Sequence, residues 1–161
     1  MEIKEINGDL LGSTAPCICH QVNCKGAMGA GIARSIREKW PVVFTQYKAF
    51  VDKTMAQGGR RPSSVLLGGM LPVRVSATQQ VLNLFGEDSF GRDGRRYTDY
   101  EAIYRCLEKA AGYCVDNHID RIALPYKMGA ARGGADWDVI LAMIKSAFKG
   151  TDVTIEIWRL D

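Results

Sequence analysis

The stretch HQVNCKGAMGAGIARSIREKWP, residues 20–41, joins a short apolar strand to a helix through a loop rich in glycine. The loop places Gly26, Gly29 and Gly31 within six residues. Glycines so closely spaced indicate a tight turn or a close approach of the backbone to another group. Free N–H groups at the start of a helix, together with the helix dipole, favour a bound phosphate or carboxylate. Because the stretch matches neither a dinucleotide fingerprint nor a P-loop, an anion site and a simple turn both remain open.

A second loop of the same kind occurs near the C-terminus. The stretch LPYKMGAARGGADW, residues 124–137, also follows a short apolar strand and also precedes a helix. In α/β sheets, such loops meet at the carboxyl ends of the strands. Two of them could face each other across a cleft and hold a diphosphate between them, which is favoured over the alternative of two unrelated turns.

Short segments rich in Val, Ile, Leu or Cys predict the strands. They are 2–6, 17–22, 65–75 with a break near Gly68, 79–85, 121–125 and 152–158. The irregular stretch QGGRRPSS, residues 57–64, is interpreted as a surface loop.

Four helices are predicted from apolar periodicity and capping residues. The first covers residues 30–39, and a short second one begins at Pro41 and runs through Tyr47. The third begins with the capping box TDYE, in which Thr98 is the N-cap. The fourth starts near Asp136 and stops at Gly150. Alternating strands and helices predict an α/β protein, a three-layer α/β/α sandwich with a mixed central sheet.

Composition and charge narrow the class of protein. The chain has 161 residues, 47% of them hydrophobic and 24% charged, which suits one globular domain over residues 1–161. A net charge of +3 suits a small anionic ligand, but not a dedicated nucleic-acid binder. The chain has no apolar run of the roughly 20 residues that span a bilayer, and its N-terminus does not resemble a signal peptide. We therefore expect a cytoplasmic protein that has no contact with membranes.

The cysteines and histidines do not indicate a metal site. The five cysteines include no C-x-x-C pair, and the two histidines lie far apart in the sequence. Free thiols in a reducing compartment and structural histidines are the favoured interpretations. No metal or cofactor is expected.

Four segments together resemble the macrodomain family, from near the N-terminus to the last strand. They are NGDLL at residues 7–11, CICHQVNCKGAMGAGIARSIREKWP at 17–41, NLFGEDSFGRDGRRYTDYEAI at 83–103 and IALPYKMGAARGGADWDVI at 122–140. Within the family, the chain is most similar to small bacterial and phage macrodomains related to the terminal ADP-ribose protein glycohydrolases. The resemblance implies a cleft that binds ADP-ribose. Many members remove ADP-ribose from modified proteins or nucleic acids, or hydrolyse ADP-ribose-1-phosphate.

The resemblance also implies a set of substrate-binding residues. Asp9 would accept a hydrogen bond from the adenine amine, Trp158 would lie against the adenine, and Asn23 would bind the distal ribose and face a cavity. Residues 29–33 and 129–133 would form the two diphosphate loops. The full set comprises Asp9, Leu10, Asn23, Gly29, Ala30, Gly31, Ile32, Ala33, Gly129, Ala130, Ala131, Arg132, Gly133 and Trp158. From spacing alone, Asp9 is better explained as a helix N-cap.

The chain departs from the family pattern at two catalytic positions. Where this branch has a lysine nucleophile, the strand ends in Glu87, and the position of its aspartate falls at Gly133. In the second loop, Ala131 replaces a glycine and would be strained if that position needs a positive φ. Arg132 adds a cation that would either help diphosphate binding or block the cleft.

Three residues remain as candidates for catalysis. Asn23 would position an attacking water, and Lys25 or Asp136 would contribute charge or proton transfer. Each of the last two has a simpler explanation, Lys25 as a solvated loop lysine and Asp136 as a helix N-cap.

Two classes of function follow from these residues. The first is an enzyme that hydrolyses ADP-ribose from modified protein or nucleic acid, or ADP-ribose-1-phosphate. The second is a module that binds ADP-ribose, or an ADP-ribosylated macromolecule, without turnover. A weaker third is a nucleic-acid contact through GRDGRRY, residues 91–97, flanked by Phe90 and ending in Tyr97. A solvated loop explains that segment better, so direct nucleic-acid binding is not expected.

Overall fold

The computed structural model describes residues 1–57 and 63–160 and, within them, six strands in one mixed sheet. The strands are β1 (Glu2–Asn7), β2 (Cys17–Asn23), β3 (Met70–Arg74), β4 (Gln80–Glu87), β5 (Arg121–Pro125) and β6 (Thr154–Arg159). Their order across the sheet is β1-β6-β5-β2-β4-β3. All neighbours are parallel except β3, which runs antiparallel to β4 at one edge. The predicted mixed sheet is confirmed.

Helices cover both faces of this sheet. They are α1 (Gly31–Lys39), α2 (Pro41–Ala56), the short α3 (Ser63–Leu66), α4 (Tyr100–Asp116) and α5 (Trp137–Ala147), and a single 3₁₀ turn (Leu10–Gly12) follows β1. The first three helices lie on one face with the 3₁₀ turn, and α4 and α5 lie on the other. The three-layer α/β/α sandwich is therefore confirmed.

Side chains alternate between two apolar cores along the central strands, as the period of a strand requires. On β4, Leu82 and Leu84 pack towards α4 and α5, whereas Val81 and Phe85 pack towards α1 and α2. This alternation of apolar side chains stops at the carboxyl end of β4, where the last residue is Glu87. Polar groups thus collect at the edge of the sheet where the two glycine loops begin.

The predicted capping box at Thr98 is wrong by one residue. Asp99 is the N-cap of α4, and its side chain accepts a hydrogen bond from the Ala102 N–H at 3.0 Å. The Thr98 hydroxyl instead donates to the Gly129 carbonyl oxygen at 2.7 Å. An aspartate caps a helix at least as well as a threonine. Thr98 is thus left to join the start of α4 to the second glycine loop.

Three other predicted boundaries also differ from the structure. Helix α2 continues nine residues beyond Tyr47 to Ala56, because Val51 keeps its apolar face buried. Helix α5 ends at Ala147, and Gly150 lies in the following turn with a φ of +80°. Of the predicted strand 65–75, only β3 is extended. Of the predicted surface loop 57–64, residues 58–62 lie outside the described residues.

The fold can be compared with the predictions made for the cysteines, for metal binding and for membranes. All five cysteines are buried and unpaired by disulfides, as expected for free thiols. Among the described residues, no group of His, Cys, Asp or Glu side chains could hold a metal ion. In the same part of the chain, no helix is both long and apolar enough to cross a membrane.

Candidate functional site

The first glycine loop ends in a helix start whose backbone donors are unused. Helix α1 begins at Gly31, which has a φ of +57°, and its N-cap residue Ala30 makes no side-chain capping bond. Among the described residues, the N–H groups of residues 29–33 have no hydrogen-bond partner. Unpaired amides of this kind, at the positive end of a helix dipole, are suited to an anion.

Asn23, at the start of this loop, uses its side chain to fold the loop. Its Oδ1 accepts hydrogen bonds from the Lys25 N–H at 3.0 Å and from the Tyr47 hydroxyl at 2.9 Å. Its Nδ2 donates to the Ala27 carbonyl oxygen at 2.9 Å. The expectation that Asn23 faces a cavity with few contacts is therefore wrong. Its side chain is 7% exposed and braces the turn between β2 and α1.

The second glycine loop folds back on itself through Lys127, which has a φ of +62°. The Lys127 carbonyl oxygen accepts hydrogen bonds from the Ala130 N–H at 2.8 Å and from the Ala131 N–H at 3.1 Å. Ala131 is not among the non-glycine residues with positive φ, so the expected strain at this position is absent. The N–H groups of Arg132 and Gly133 have no partner among the described residues and are the donors that this loop can offer.

Gly133 is tightly packed. A Cβ atom at this position would collide with the Thr98 hydroxyl and with the Gly129 carbonyl oxygen. The Gly133 carbonyl oxygen also accepts hydrogen bonds from the N–H groups of Tyr97, at 2.7 Å, and Thr98, at 3.0 Å. No side chain fits at Gly133 while Thr98 holds the loop, so no carboxylate can stand there.

The two glycine loops meet through Arg132. Its side chain lies against Gly31, so that a Cβ atom on Gly31 would be 3.0 Å from the Arg132 Nε. A guanidinium group therefore lies over the N-terminus of α1, where the helix dipole is also positive. Two positive groups at one point favour an anion between them.

Asp9 and Trp158 lie near the carboxyl ends of the paired strands β1 and β6. The Trp158 ring packs on Gly8, where a Cβ atom would lie 3.1 Å from the ring. The Trp158 Nε1–H donates to a Glu156 carboxylate oxygen at 3.0 Å, which fixes the ring. Asp9 caps the 3₁₀ turn by accepting from the Leu11 N–H at 3.0 Å, as its spacing favoured. The side chain of Leu10 is buried in the core, so only its backbone can face a ligand.

Lys25 and Asp136 each have a structural partner. The Lys25 Nζ lies 3.5 Å from an Asp88 carboxylate oxygen, and both side chains are about half exposed. Asp136 caps α5 by accepting from the Asp138 N–H at 2.8 Å. Both residues thus have the simpler roles that the sequence favoured.

The sequence analysis did not identify Glu87 as a candidate functional residue. It ends β4 directly beside Asn23 in the parallel register and forms an isolated bridge with Thr98. Burial raises the pKa of its carboxyl group to about 7, and an interaction with the Gln21 amide opposes part of that rise. The signal in the sequence was an acidic residue at the carboxyl end of a mostly apolar strand, the edge of an α/β sheet where ligands commonly bind.

Gln21 and Thr98 support the second glycine loop through hydrogen bonds. The sequence analysis did not identify these two residues either. The Gln21 Nε2 donates to the Thr98 hydroxyl at 2.9 Å, and Thr98 donates onward to the second glycine loop. The Gln21 Oε1 is buried and has no hydrogen-bond partner within the described parts of the chain. Because this chain of bonds spans 77 residues of sequence, no local pattern indicates it.

The arginine-rich loop, residues 91–97, is paired internally. Arg95 Nε lies 2.8 Å from an Asp93 carboxylate oxygen, and the Tyr97 hydroxyl donates to the other at 2.7 Å. Arg96 lies over the Tyr100 ring at 4.3 Å. The exposed loop thus uses its charges within itself and borders the second glycine loop.

Comparison with known proteins supports the resemblance. No protein-family model matches the chain. The DNA ADP-ribosyl glycohydrolase of Mycobacterium tuberculosis is 26% identical over 149 residues, which is 89% of this chain and 38% of that protein. An ADP-ribose 1″-phosphate phosphatase of Aspergillus clavatus is 33% identical over 60 residues, 37% of this chain and 30% of that protein. The chain thus spans less than two fifths of the length of either relative.

The similarity to solved structures extends over nearly the whole chain. The macrodomain of Mycobacterium tuberculosis DarG superposes with a TM-score of 0.80 at 25% identity, covering 97% of this chain and 96% of that one. Sheet order, the helical layers and both glycine loops thus belong to one known architecture. The chain has the macrodomain fold and is similar to the macrodomain of DarG.

Proposed function

We propose that this macrodomain binds ADP-ribose in the cleft between its two glycine loops and hydrolyses the bond from the distal ribose to an attached group. The observation that carries the proposal is the meeting of Arg132 with the N-terminus of α1. There, the unpaired amides of residues 29–33, the helix dipole and a guanidinium group converge. Amides and a cation directed at one point suit the two charges of a diphosphate.

The rest of the ligand follows from this position. Asp9 and Trp158 lie at one end of the cleft and suit a purine, since a carboxylate accepts from an exocyclic amine and an indole face stacks on a base. The distal ribose then lies at the other end, near Asn23 and Glu87. Because the Asn23 side chain is hydrogen-bonded within its own loop, it contributes to the site mainly by fixing the backbone conformation of that loop.

The similarity to named enzymes favours hydrolysis over binding alone. The relatives are named as a DNA ADP-ribosyl glycohydrolase and an ADP-ribose 1″-phosphate phosphatase. We extend two activities from these relatives to this chain. One is the removal of ADP-ribose from DNA or protein, and the other is the removal of phosphate from ADP-ribose-1-phosphate. We also assign the protein to the cytoplasm, because five free buried thiols suit a reducing compartment.

The alternative is a binding module without turnover. The absence of the branch's lysine and aspartate favours it, and the close contacts around Gly133 leave no room for an aspartate side chain there. A binding module would need the amides and Arg132 but no titratable group near the distal ribose.

Incubation with three substrates separates these functions. ADP-ribosylated DNA, ADP-ribosylated protein and ADP-ribose-1-phosphate are each incubated with the protein, and released ADP-ribose is measured. We expect release from at least one substrate. Calorimetric binding of free ADP-ribose without release from any of the three would leave the binding module as the function.

The role of Arg132 is tested by calorimetric titration of ADP-ribose into Arg132→Ala. We expect at least a tenfold loss of affinity, because a charge-assisted contact is worth about 1.5–3 kcal/mol. Arg74→Ala, on the far edge strand β3, is the matched control and should bind as the wild type does. Tighter binding by Arg132→Ala would show instead that the arginine blocks the cleft.

A further inference from the structure

Glu87 lies on the floor of the proposed cleft, between the supports of the two glycine loops. Its Cα is paired with that of Asn23 on the neighbouring strand, which leads into the first loop. Neighbouring strands lie about 5 Å apart, so the two residues are adjacent. On the other side, Thr98 bridges to Glu87 and holds the Gly129 carbonyl oxygen of the second loop. Glu87 is therefore the carboxylate that both loops share.

The groups that face Glu87 include one that favours its charged form, the Gln21 amide on β2, and no unpaired cation among the described residues. Cys24 and Tyr47 face it from the first loop and from α2, and burial raises the pKa of the Cys24 thiol to about 12. The pKa of Tyr47 is also raised by burial, so both groups are neutral at ordinary pH. The Lys25 ammonium is paired with Asp88, which leaves that pair without net charge.

We propose, resting on the proposed function, that Glu87 is the general base that activates water for attack on the distal ribose. A carboxylate at the junction of the two loops can reach both the water and the anomeric carbon once the diphosphate is held. Partial burial keeps bulk water from competing for the proton. This assignment gives the site a proton acceptor without the lysine and aspartate that the chain lacks.

The chemistry balances with water as the sole co-reactant. As the water oxygen bonds to C1″ of the distal ribose, its proton passes to the Glu87 carboxylate. The bond from C1″ to the attached oxygen or nitrogen breaks, and that atom takes the electron pair. Glu87 then returns the proton to the leaving group, which regenerates the carboxylate.

Other carboxylates near the cleft are less suited to this role. Asp88 is paired with Lys25, and Asp136 and Asp99 are committed as helix N-caps. Asp9 lies at the opposite end of the cleft beside Trp158. Only Glu87, among the acidic residues of the described chain near the distal end, has neither a cap nor a basic partner.

The test compares Glu87→Gln with wild type in ADP-ribose binding and in hydrolysis of ADP-ribosylated DNA and ADP-ribosylated protein. We expect the variant to bind ADP-ribose with an affinity within about threefold of wild type, since glutamine preserves the shape. Turnover should fall by roughly 10²–10⁴, the usual contribution of a general base. The wild-type kcat/KM should rise with pH and level off above about 7, where the carboxylate is ionised, and that rise should vanish in the variant.

Glu101→Gln, in the exposed first turn of α4, is the matched control and should retain the wild-type rate. Wild-type-like turnover and pH profile in Glu87→Gln would overturn the assignment while leaving the proposed function intact. No ADP-ribose binding by the wild type would instead refute the proposed function itself. Binding by the wild type without turnover of these two substrates or of ADP-ribose-1-phosphate would overturn hydrolysis and the general base together. Loss of ADP-ribose binding in Glu87→Gln would show that Glu87 has a structural role. That result would also overturn the assignment.

Discussion

Asn23 shows how one side chain can fix the shape of the first glycine loop. Its carboxamide ties the Lys25 N–H, the Ala27 carbonyl oxygen and the Tyr47 hydroxyl into one turn. The Tyr47 hydroxyl also donates to the Asn23 carbonyl oxygen at 2.6 Å. These bonds set the direction in which the chain leaves β2, and hence where the amides at the start of α1 lie.

Asn23→Ala should therefore destabilise the protein before any ligand is added. Removal of a buried carboxamide with several partners costs about 1–3 kcal/mol, because the partners lose their hydrogen bonds. Urea denaturation, monitored by far-UV circular dichroism, measures the change in the free energy of unfolding. The matched control is Asn7→Ala at the exposed end of β1. Equal stability of Asn23→Ala and wild type would mean that other contacts hold the turn.

Glu87 should make the stability of the wild type depend on pH. Because burial raises its folded pKa from 4.5 to about 7, the folded state binds a proton that the unfolded state has released between these values. The stabilising effect of that proton is fully present below pH 4.5 and is lost as the pH rises through 7. Relative to Glu87→Gln, the wild type should lose on the order of 1–2 kcal/mol between pH 5 and pH 8, a figure reduced for solvent screening.

Denaturation of both proteins at several pH values tests this dependence. The difference between the two free energies of unfolding removes the contributions of all other titrating groups. A constant difference from pH 5 to pH 8 would show that Glu87 titrates near its ordinary value in the folded protein.

At the scale of the elements, local sequence patterns predicted which segments form helices and strands, but not how the ends of these elements contact one another. The apolar period of α4 was visible in the sequence because it depends on neighbouring residues. The role of Thr98 was not, because an adjacent aspartate competes for the N-cap and the partner of Thr98 lies 31 residues away. Likewise, the length of α2 depends on burial of Val51, which becomes evident only in the folded structure.

The second glycine loop should not tolerate even a methyl group at Gly133. The added Cβ atom would meet the Thr98 hydroxyl and the Gly129 carbonyl oxygen, so the bond between them must break. We expect Gly133→Ala to cost about 2 kcal/mol or more in the free energy of unfolding, from overpacking and the lost hydrogen bond. Differential scanning calorimetry would detect this loss as a lower Tm.

Gly112→Ala is the matched control within the same protein. Gly112 lies on the exposed face of α4, and a Cβ atom there would have no heavy atom within 4 Å. Alanine in a helix interior is favoured over glycine by roughly 0.5–1 kcal/mol, so this variant should be slightly more stable than wild type. A Tm for Gly133→Ala at or above that of wild type would contradict the packing described here.

At the scale of the whole molecule, the parallel strands bring distant segments to one edge of the sheet. The first glycine loop leads to the helical layer of α1 and α2, and the second leads to the opposite layer through α5. Alternating strands and helices were enough to predict the sandwich. The meeting of Arg132 with Gly31 was not predictable, because it depends on the order of strands in the sheet and on the path of two loops.

Because the cleft joins the two helical layers, ADP-ribose should stabilise the whole fold. A ligand at a hundred times its Kd adds about 2.7 kcal/mol to the free energy of unfolding, which for a domain of this size raises Tm by roughly 5–10 °C. A thermal-shift titration measures this rise. AMP is the matched control ligand, because it retains the adenosine for Asp9 and Trp158 but lacks the second phosphate and the distal ribose. At equal concentration, AMP should therefore give a clearly smaller shift. Equal shifts with AMP and ADP-ribose would mean that the glycine loops add nothing to binding and that the diphosphate lies elsewhere.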